Sequence, residues 1–482
     1  MPLFRKVLIA NRGEIAIRII RACKELGIPT VAIYTEHDAN ALHIVKADQA
    51  ISVSPGPLAG YLDFAQIIEV AKWAGADAIH PGYGFGAENW QFAQACAEAG
   101  ITFIGPPPEA IREMGDKVRA RELMAAAGVP IIPGSPVITQ PEEAREHAAR
   151  IGFPLLVKAK GGGGGRGMRL VWTEEEMLDS LEGARREAGR AFGDEGIYLE
   201  KFIEEPKHIE IQIVGDTQGR LVHLGERDCS IQRRHQKLIE IAPSLVLTPE
   251  KRQEMGEVAK KAAASLGYFS LGTMEFLVDK YLNFYFLEMN TRVQVEHPIT
   301  ELITGIDLVK EQIRVAAGEP LSFTQEEVSL RGYAIECRIN AEDPRNNFFP
   351  SPGRITRYYS PGGVGVRLDG CVFGGYEVPP YFDPLLSKLC VWGRTWEEAL
   401  ARMDRALGEY VIRGIKTTIP FYRRLLQDEE FRAGTFTTDF LERKLPELTY
   451  EDVVEPWDRF YVASAALFCH LNQIAKKSGS HV

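Results

Sequence analysis

The chain has 482 residues, of which 45% are hydrophobic and 25% charged, and these fractions are typical of a soluble globular protein with a large core. Its formal net charge of -10 argues against a protein built mainly to bind nucleic acid, although local basic clusters remain open. The apolar run near the N-terminus is too short for a secretion signal and no window could span a membrane, so we expect a cytoplasmic protein with unpaired, buried cysteines.

Residues 1–115 alternate short apolar strands with helices. The strands are KVLIA, TVAIYT, AIHPGYG and TFIG, and helical spacing follows in GEIAIRIIRACKELG and FAQIIEVAKWAGA. This alternation predicts an open parallel sheet with helices on both faces. Because GxGxxG does not follow the first strand, a dinucleotide site is not expected. Helical sequence then continues through residues 116–131, which we interpret as a connection to the next unit.

A run of glycines interrupts residues 132–203, in the stretch VKAKGGGGGRGMRLV. Glycine runs are more often flexible linkers. Here, however, the run separates the strand-like segments LLVKAK and MRLVW, and GIYLEKFI follows as a third strand of the same small sheet. No GK[ST] ends the run, so it is not a Walker A loop. The pattern predicts a hairpin tip whose bare N–H groups can approach phosphate oxygens.

Residues 204–445 form the largest unit, and TMEFLVDKYLNFYFLEMN is its most informative segment. It predicts an antiparallel hairpin that turns near residues 281 and 282. The expected register pairs Thr273 with Asn290, Glu275 with Glu288, and Leu277 with Phe286. Two facing carboxylates, about 5 Å apart at Cβ, repel each other unless a divalent cation compensates. Oxygen ligands suit Mg²⁺ or Mn²⁺. The alternative is a slipped register with two solvated glutamates.

The segment NTRVQVEH follows directly, and Arg292, Gln294 and Glu296 recur there at period two. On a strand the three side chains would share one face. A cation, an amide and a carboxylate beside a metal site predict a pocket for a small anion, in which Arg292 holds an oxyanion and Glu296 removes a proton. An exposed strand with alternating charges is the alternative.

Further candidates are isolated cations and polar side chains. The segment ERDCSIQRRHQK concentrates positive charge at residues 233–237, which fits either a local anion site or a solvated charged face. Lys117 and Lys158 are candidate phosphate ligands, and Lys158 lies at the base of the glycine run. His208 alternates with Glu210 and Gln212 along a strand-like segment. These polar side chains either line the same anion site or cover a polar face of the sheet. Arg338, in an otherwise apolar strand, is either functional or part of a buried ion pair.

These segments together resemble the biotin carboxylases of the ATP-grasp superfamily. The resemblance covers about residues 3–445 in one unbroken order, and the matching segments are IANRGEIAIRIIRACKELGI, HPGYGF, MGDK, KAKGGGGGRGM, HIEIQI, ERDCSIQRRHQK, EMNTRVQVEHPITE, RGYAIECRINAEDP and YFDPLLSKL. It implies a mixed α/β and α+β ATP-grasp fold. The implied units are an N-terminal Rossmann-like open-sheet domain (1–115), a helical connection (116–131), a mobile glycine-tipped lid (132–203), a catalytic domain (204–445) and a tail (446–482) that we expect to be helical.

The resemblance also implies roles for individual residues. ATP would be bound by Lys117, Lys158, Gly163, Gly164, Gly165, Gly167, Met168, Glu200, Lys201, Ile203, His208, Gln232, His235 and Leu277. About two Mg²⁺ or Mn²⁺ ions would be held by Glu275, Glu288 and Asn290. Bicarbonate would be bound by Lys237, Arg292, Gln294, Val295 and Glu296. Biotin would meet Tyr83 and Arg338. The catalytic set would be Glu296, Arg338, Lys237 and Arg292.

The implied reaction is ATP-dependent carboxylation of biotin with bicarbonate, through carboxyphosphate. The chain has no Ala-Met-Lys-Met biotin-attachment motif, so we expect the biotin on a separate biotin carboxyl carrier protein. A homodimeric assembly and a separate carboxyltransferase subunit are also implied. The family often has Leu-Ser where this chain has Gly86-Ala87. Another ATP-grasp ligase that forms an acyl or carbamoyl phosphate, and a non-catalytic subunit that binds biotinylated partners, are the alternatives. The final carboxyl acceptor is left open among acyl-CoA, pyruvate and 2-oxoglutarate.

The tail carries apolar residues at near-helical spacing from Trp457 to Ile474. Two interpretations stay open. The helix packs on its own catalytic domain, as apolar helix faces usually do, or it docks the carrier or carboxyltransferase subunit.

Overall fold

A computed structural model describes residues 3–138, 140–159, 168–192, 196–448, 463–471 and 473. The N-terminal part is built on a parallel sheet whose strands are β1 (Val7–Ile9), β2 (Thr30–Tyr34), β3 (Gln49–Ser52), β4 (Ala78–His80) and β5 (Thr102–Phe103). Their order is β3-β2-β1-β4-β5, and every pair is parallel. All three residues of β1 are fully buried, which is why the strand is a continuous apolar run. The predicted open parallel sheet is confirmed.

Helices flank this sheet. They are α1 (Gly13–Glu25), α2 (Leu42–Lys46), α3 (Ala59–Leu62), α4 (Phe64–Ala74), α5 (Trp90–Glu98), α6 (Pro108–Gly115) and α7 (Lys117–Ala126), with a 3-10 turn at Glu36–Asp38. Helix α7 leaves the sheet and begins at Lys117, because the Asp116 side chain accepts hydrogen bonds from the backbone N–H groups of Val118 and Arg119.

A smaller antiparallel sheet comes next in the chain. After α8 (Pro141–Ile151) come β6 (Leu155–Ala159), β7 (Met168–Val171), α9 (Glu174–Phe192) and β8 (Ile197–Lys201), in the sheet order β7-β6-β8. Burial alternates along β6, since Leu155 and Val157 are buried whereas Lys158 is half-buried. The prediction of three strands in one sheet is confirmed. The glycine run between β6 and β7, with Gly163, Gly164, Gly165 and Gly167, lies outside the described residues.

The largest unit is built on a long antiparallel sheet in the order β13-β12-β9-β10-β11-β14-β21-β19. Its strands are β9 (Lys207–Gly215), β10 (Leu221–Arg233), β11 (Gln236–Ala242), β12 (Ser270–Val278), β13 (Phe284–Asn290), β14 (Tyr333–Asn340), β19 (Val366–Gly370) and β21 (Leu385–Gly393). Short strands complete the unit: β15 (Glu342–Asp343), β16 (Phe349–Pro350), β17 (Gly353–Arg354), β18 (Arg357–Tyr359), β20 (Glu377–Val378) and β22 (Val411–Arg413).

Helices cover this sheet and leave a polar centre. They are α10 (Pro249–Ser265), α11 (His297–Thr304), α12 (Leu308–Ala316), α13 (Trp396–Glu409), α14 (Ile419–Leu425), α15 (Glu429–Ala433) and α16 (Phe440–Lys444), with 3-10 turns at Gln325–Glu327, Pro344–Asn346 and Leu445–Glu447. Strand β9 is buried along its whole length although it carries His208, Glu210 and Gln212. Buried polar groups need partners, and these partners form the site described below.

The tail contains a described helix over residues 463–471, and all of its residues are exposed. Leu467, Phe468 and Leu471 have exposed fractions of 59%, 67% and 55%. The described tail helix therefore does not bury its apolar side chains on the catalytic unit.

Among the residues that the structure describes, no helix combines the length and apolarity that a membrane crossing requires. The predicted buried thiols are found at six of the cysteines, whereas Cys469 of the tail helix is exposed.

Candidate active site

The β12–β13 hairpin pairs most residues as its sequence pattern predicts. Thr273 lies opposite Asn290, and Glu275 lies opposite Glu288. The third expected pair is wrong: a bulge after Glu275 places Phe286 opposite Phe276, so that Leu277 faces Tyr285. A bulge adds one residue to one strand and shifts the pairing beyond it by one residue.

Lys237 lies at the centre of the site. Its Nζ donates hydrogen bonds to Glu275 at 2.8 Å and to Glu296 at 2.7 Å, and it also pairs with Glu210. The three acceptors use all three ammonium protons. Burial alone would lower the pKa of Lys237, but the three carboxylates raise it well above its ordinary value. The site therefore holds a permanent positive charge surrounded by carboxylates.

A second cation, Arg227 of β10, shares Glu210 with Lys237 and is completely buried. Its guanidinium donates to an acidic and polar ring: Glu210 Oε1 at 2.5 Å, Gln294 Oε1 at 2.6 Å, Gln212 Oε1 at 2.7 Å, Thr300 Oγ1 at 2.9 Å and Thr273 Oγ1 at 3.2 Å. Sequence reasoning assigned no role to Arg227. Only the structure shows that this arginine lies in a strand buried from Val222 to Gln232, where it needs several acceptors.

The metal-ligand candidates surround Glu275. Its Oε1 accepts from Asn290 Nδ2 at 2.9 Å and from Gln294 Nε2 at 2.8 Å, and its Oε2 lies 2.8 Å from His208 Nε2. One ligand atom each from His208, Glu210 and Glu275 lies within 4.8 Å of the others. Burial opposes ionisation of Glu275, yet Lys237 and His208 lower its pKa well below the ordinary value. Burial and the charge of Glu275 raise the pKa of the facing Glu288.

Residues 291–296 do not continue the strand, and this part of the prediction is wrong. Strand β13 ends at Asn290, and the chain turns before α11 begins at His297. Gln294 and Glu296 nevertheless reach Glu275 and Lys237, respectively. The guanidinium of Arg292 donates through all three of its nitrogens: to Glu88 at 3.0 Å, to the Val293 carbonyl at 3.4 Å and to Asn290 Oδ1 at 2.7 Å. A period-two pattern over a few residues fits two turns as well as a strand, so only long-range packing distinguishes them.

Arg338 of β14 borders the site on the other side. Its guanidinium donates to Glu296 Oε2 at 2.9 Å and to Glu240 Oε1 at 2.6 Å. Glu296 therefore lies between two cations, Lys237 and Arg338. Burial would raise the pKa of Glu296, but Lys237, Arg338 and Arg227 lower it far below the ordinary value. The interpretation of Arg338 as part of a buried ion pair is confirmed, with its side chain 18% exposed, and its functional role stays a prediction.

Tyr83 reaches this region through other residues. Its hydroxyl donates to Glu14 of α1, which lies 3.0 Å from Lys388 Nζ. Lys388 in turn donates to the carbonyl of Val295 at 2.8 Å. This chain of contacts joins the N-terminal unit to the loop between β13 and α11. Burial and the neighbouring Glu14 raise the pKa of Tyr83 well above its ordinary value, so the hydroxyl keeps its proton.

The candidate nucleotide residues lie on several elements around the site. Glu200 of β8 is engaged by Lys158 and, at 3.2 Å, by Arg121, which sequence reasoning missed. Lys201 Nζ donates to the carbonyls of Gly152 and Phe153. The others are placed as follows: Lys117 at the start of α7, Met168 exposed at the start of β7, Ile203 buried after β8, Gln232 buried opposite Lys237, His235 exposed in the β10–β11 turn, and Leu277 opposite His208.

The basic cluster at residues 233–237 contains one cation that faces the site and others that lie on an exposed charged face. Lys237 faces the buried site, whereas Arg234 and His235 are exposed and have positive φ angles of 51° and 64°. Arg233 donates to Asn347 Oδ1 at 2.6 Å on the neighbouring loop. The tight turn between β10 and β11 thus separates an inward cation from a solvated charged face.

Comparisons with known proteins cover nearly the whole chain. Residues 3–111 match the family described as biotin carboxylase, N-terminal domain, residues 116–324 match carbamoyl-phosphate synthase L chain, ATP binding domain, and residues 336–443 match biotin carboxylase C-terminal domain. The 2-oxoglutarate carboxylase small subunit of Hydrogenobacter thermophilus is 56% identical over 91% of this chain and 93% of its own length. Biotin carboxylase 1 of Bacillus subtilis is 54% identical over 91% of this chain and 98% of its own.

A solved structure extends the similarity to the fold. The biotin carboxylase domain dimer of the Hydrogenobacter thermophilus 2-oxoglutarate carboxylase, in complex with MgADP, ADP and bicarbonate, superposes with a TM-score of 0.86. It is 55% identical and covers 93% of this chain and 99% of its own. The predicted ATP-grasp fold is therefore confirmed.

Proposed function

The chain belongs to the biotin carboxylase family, and from that membership we propose that it uses ATP and bicarbonate to carboxylate biotin held by a separate carrier protein. The observation that carries the proposal is the position of Glu296 between Lys237 and Arg338, beside the facing pair Glu275 and Glu288. A carboxylate between two cations thus lies beside a facing pair of carboxylates, and we infer that they act as the base, the anion-binding cations and the metal ligands.

Glu275, Glu288 and Asn290 would hold Mg²⁺ or Mn²⁺. The donor set fits a hard cation, since it offers carboxylate and amide oxygens. The facing carboxylates also fit, because the pKa of Glu288 is raised by burial and by Glu275, a repulsion that a bound cation would remove. When bound, the metal supplies positive charge that neutralises the phosphate oxygens of ATP. The related biotin carboxylase domain in complex with MgADP supports a Mg²⁺ requirement.

Bicarbonate would bind between Lys237, Arg292, Gln294, Glu296 and the N–H of Val295. The carbonyl of Val295 is already held by Lys388, which orients the adjacent peptide groups. Before the anion enters, Lys237 and Arg338 keep Glu296 ionised and a poor base. A bound anion would share those cations, so that Glu296 gains affinity for the bicarbonate proton at the moment it is needed.

ATP would lie between the small sheet and the large sheet. Lys117 and Lys158 would neutralise phosphate charge, and Lys158 would have to leave Glu200, the carboxylate it pairs with in this structure. Glu200, Lys201 and Ile203 would meet the adenine, with His208, Gln232, His235, Met168 and Leu277 around the nucleotide. The contact of the glycine run with phosphates, and the division of the chain at residues 132 and 203, stay predictions.

The chemistry would proceed in two parts. Glu296 deprotonates bicarbonate, whose oxygen attacks the γ-phosphorus of ATP and releases ADP and carboxyphosphate. Carboxyphosphate breaks into CO₂ and phosphate, and the phosphate removes the proton from the biotin ureido nitrogen. Arg338 stabilises the negative charge that develops on the ureido oxygen, and the nitrogen attacks CO₂. Tyr83, whose hydroxyl is bound to Glu14, would line the biotin side of the site.

The assembly we propose contains further chains. The carrier protein supplies biotin, because this sequence lacks an attachment motif, and a separate carboxyltransferase subunit selects the final acceptor. A homodimer is supported by the related domain that forms a dimer.

The function is tested by ATP hydrolysis with and without bicarbonate and free biotin. We expect ADP release that requires bicarbonate and increases with biotin. Hydrolysis stimulated by an amine or an acyl acid but not by biotin would instead identify another ATP-grasp ligase. Biotin binding without any hydrolysis would identify a non-catalytic subunit, which the intact Glu275, Glu288, Glu296 and Arg338 argue against.

A further inference from the structure

A second pair of facing carboxyl groups lies behind Arg338. Glu240 of β11 and Glu336 of β14 are directly opposite each other in the large sheet, and both are fully buried. Residues opposite each other on antiparallel strands have Cβ atoms about 5 Å apart, which lets two glutamate side chains reach each other. The proposed reaction gives neither residue a role.

The hydrogen bonds of the pair are incomplete. Glu240 Oε1 accepts from Arg338 at 2.6 Å, and Glu336 Oε2 accepts from the thiol of Cys390 at 3.3 Å. Within the part of the chain that the structure describes, Glu240 Oε2 and Glu336 Oε1 are buried without a partner. Two buried carboxylate oxygens without donors would be costly. One proton between them would supply a donor to one oxygen and an acceptor to the other.

The surrounding charges also favour a single proton on the pair. The titratable and charged groups that face it are Lys237, Arg338, Lys388, Glu296, Cys229, Cys337, Cys390 and Tyr422. Lys237 is already bound to three carboxylates, and Lys388 is bound to Glu14 and to the Val295 carbonyl. This leaves the guanidinium of Arg338, which is shared with Glu296.

The pKa shifts of Glu240 and Glu336 also favour a single proton on the pair. Burial raises the pKa of Glu240 to about 7, with Arg338 opposing the increase and Glu296 adding to it. Burial and the facing Glu240 raise the pKa of Glu336 well above its ordinary value. These directions agree with a neutral Glu336, and the hydrogen bond that Glu240 accepts from Arg338 assigns the negative charge to Glu240.

We propose that Glu240 and Glu336 share one proton, donated by Glu336 to Glu240, and that this pair is a positioning device that holds Arg338 at the biotin site. The proposal rests on the proposed function, since it assigns Arg338 to biotin. A single negative charge on the pair would hold the Arg338 guanidinium in place. Two negative charges would draw the guanidinium into the sheet, and a fully protonated pair would release it. Glu240 and Glu336 are positioning residues because they act through Arg338.

The test compares two substitutions of Glu336 that differ in one property. Glu336→Gln keeps a side chain that donates to Glu240, whereas Glu336→Ala removes the donor. For each protein, biotin-dependent ATP turnover is measured from about pH 6 to pH 9 and divided by biotin-independent turnover at the same pH. This ratio should fall at the acid end of the pH profile, because protonation of Glu240 releases Arg338. The midpoint of this acid limb reports the ionisation of Glu240.

The expected shifts have opposite signs under the two possible states. If Glu336 is neutral, Glu336→Ala removes a hydrogen bond to the Glu240 anion, so its pKa rises and the acid limb moves to higher pH by about one unit. Glu336→Gln then leaves the limb in place. If Glu336 is ionised instead, both substitutions remove a negative charge, and both move the limb to lower pH. That result would overturn the proposal.

Infrared spectroscopy keeps the proposal testable if the alanine variant does not fold. The unmodified protein, with ¹³C-labelled glutamate, should show at neutral pH a C=O stretching band of a protonated carboxyl group that Glu336→Gln removes. A spectrum without this loss would contradict the shared proton. This measurement uses no substrate, so it distinguishes failure of the proton-sharing pair from failure of the proposed function, which would show as absent biotin-dependent turnover in the unmodified protein.

Discussion

Glu275 and Glu288 face each other on adjacent antiparallel strands, yet the pKa values of their carboxyl groups shift in opposite directions. Burial would raise both pKa values, but Lys237 and His208 lower that of Glu275, whereas the negative charge of Glu275 raises that of Glu288 further. Protein contacts in the hairpin thus keep Glu275 ionised, and we propose that a bound cation compensates the charge of Glu288.

Replacing Glu288 with glutamine should separate stability from activity. The variant should be more stable than the unmodified protein without Mg²⁺, by about 0.5 kcal/mol, because a facing like charge is removed. ATP cleavage should fall roughly 100-fold, as expected when a group that stabilises phosphate charge is lost. Thermal unfolding and ADP release at varied Mg²⁺ check both effects, with Glu69→Gln on the exposed face of α4 as the control. Normal turnover at limiting Mg²⁺ would contradict the metal assignment.

Replacing Glu296 with alanine should reduce the rate of bicarbonate-dependent ATP hydrolysis by about 100-fold or more, because the proposed base is removed. Nucleotide binding should survive, since Lys237 keeps Glu210 and Glu275 as partners. The comparison is between ATP affinity by calorimetry and turnover at saturating bicarbonate. An equal loss of both would return Glu296 to a structural role.

Replacing Lys388 with methionine should destabilise the protein by about 3 kcal/mol, because the cation that compensates the charge of buried Glu14 would be lost. Lys388 is completely buried between α1 and the loop that carries Val295. Thermal unfolding measures the loss, and Lys46→Met on the surface is the matched control. Adding Glu14→Gln to Lys388→Met should recover part of the stability. Failure of the second substitution to help would mean that the two residues do not form the stabilising pair.

Replacing Arg18 with leucine should destabilise the protein in a pH-dependent manner. Arg18 pairs with Glu301 at 2.9 Å and with Asp307 at 2.6 Å. Burial would raise the pKa of Glu301, but Arg18 and Arg367 lower it. A lowered carboxyl pKa stabilises the fold above the ordinary value near 4.5 and loses that contribution as the pH falls through the lowered value.

Without Arg18, buried Glu301 loses one of the cations that keep its pKa low. Glu301 of the variant therefore takes up a proton at a higher pH than Glu301 of the unmodified protein, and this protonation removes the uncompensated charge. The stability difference between the two proteins should therefore be largest at pH 7 to 8 and should shrink on acidification. Unfolding midpoints of both proteins from pH 8 down to the ordinary carboxyl pKa of 4.5 measure this difference. A difference that stays constant with pH would show that lost packing, and not the ion pair, is responsible.

Deleting residues 449–482 should leave both thermal stability and activity with free biotin unchanged. The expectation rests on the exposure of every described residue in the tail helix, including Leu467, Phe468 and Leu471. Loss of co-purification with the carrier or carboxyltransferase subunit would support a docking role. A lower unfolding temperature, or loss of free-biotin activity, would instead assign the tail to the core.

The local pattern of the sequence was sufficient for the β12–β13 pairing of Glu275 with Glu288 and for the parallel sheet around β1. In the hairpin, a short turn and alternating side chains leave few registers, because a slip of one residue would expose the apolar face. In the N-terminal part, short apolar strands separated by helices allow essentially one class of connection. The resemblance to biotin carboxylases added the roles of residues such as His208 and Val295, which spacing alone did not assign.

The tertiary structure decided which distant residues meet. Glu240 and Arg338 are 98 positions apart, and no local pattern shows that β11 lies beside β14. The same holds for Arg227 with Gln294 and for Lys388 with Glu14. Buried charges are stable only in the company of specific partners, and those partners come from strand pairing between remote segments. The sequence by itself therefore determined the fold class and the facing carboxylates, while the network that sets their charge states depends on how the remote strands and helices pack.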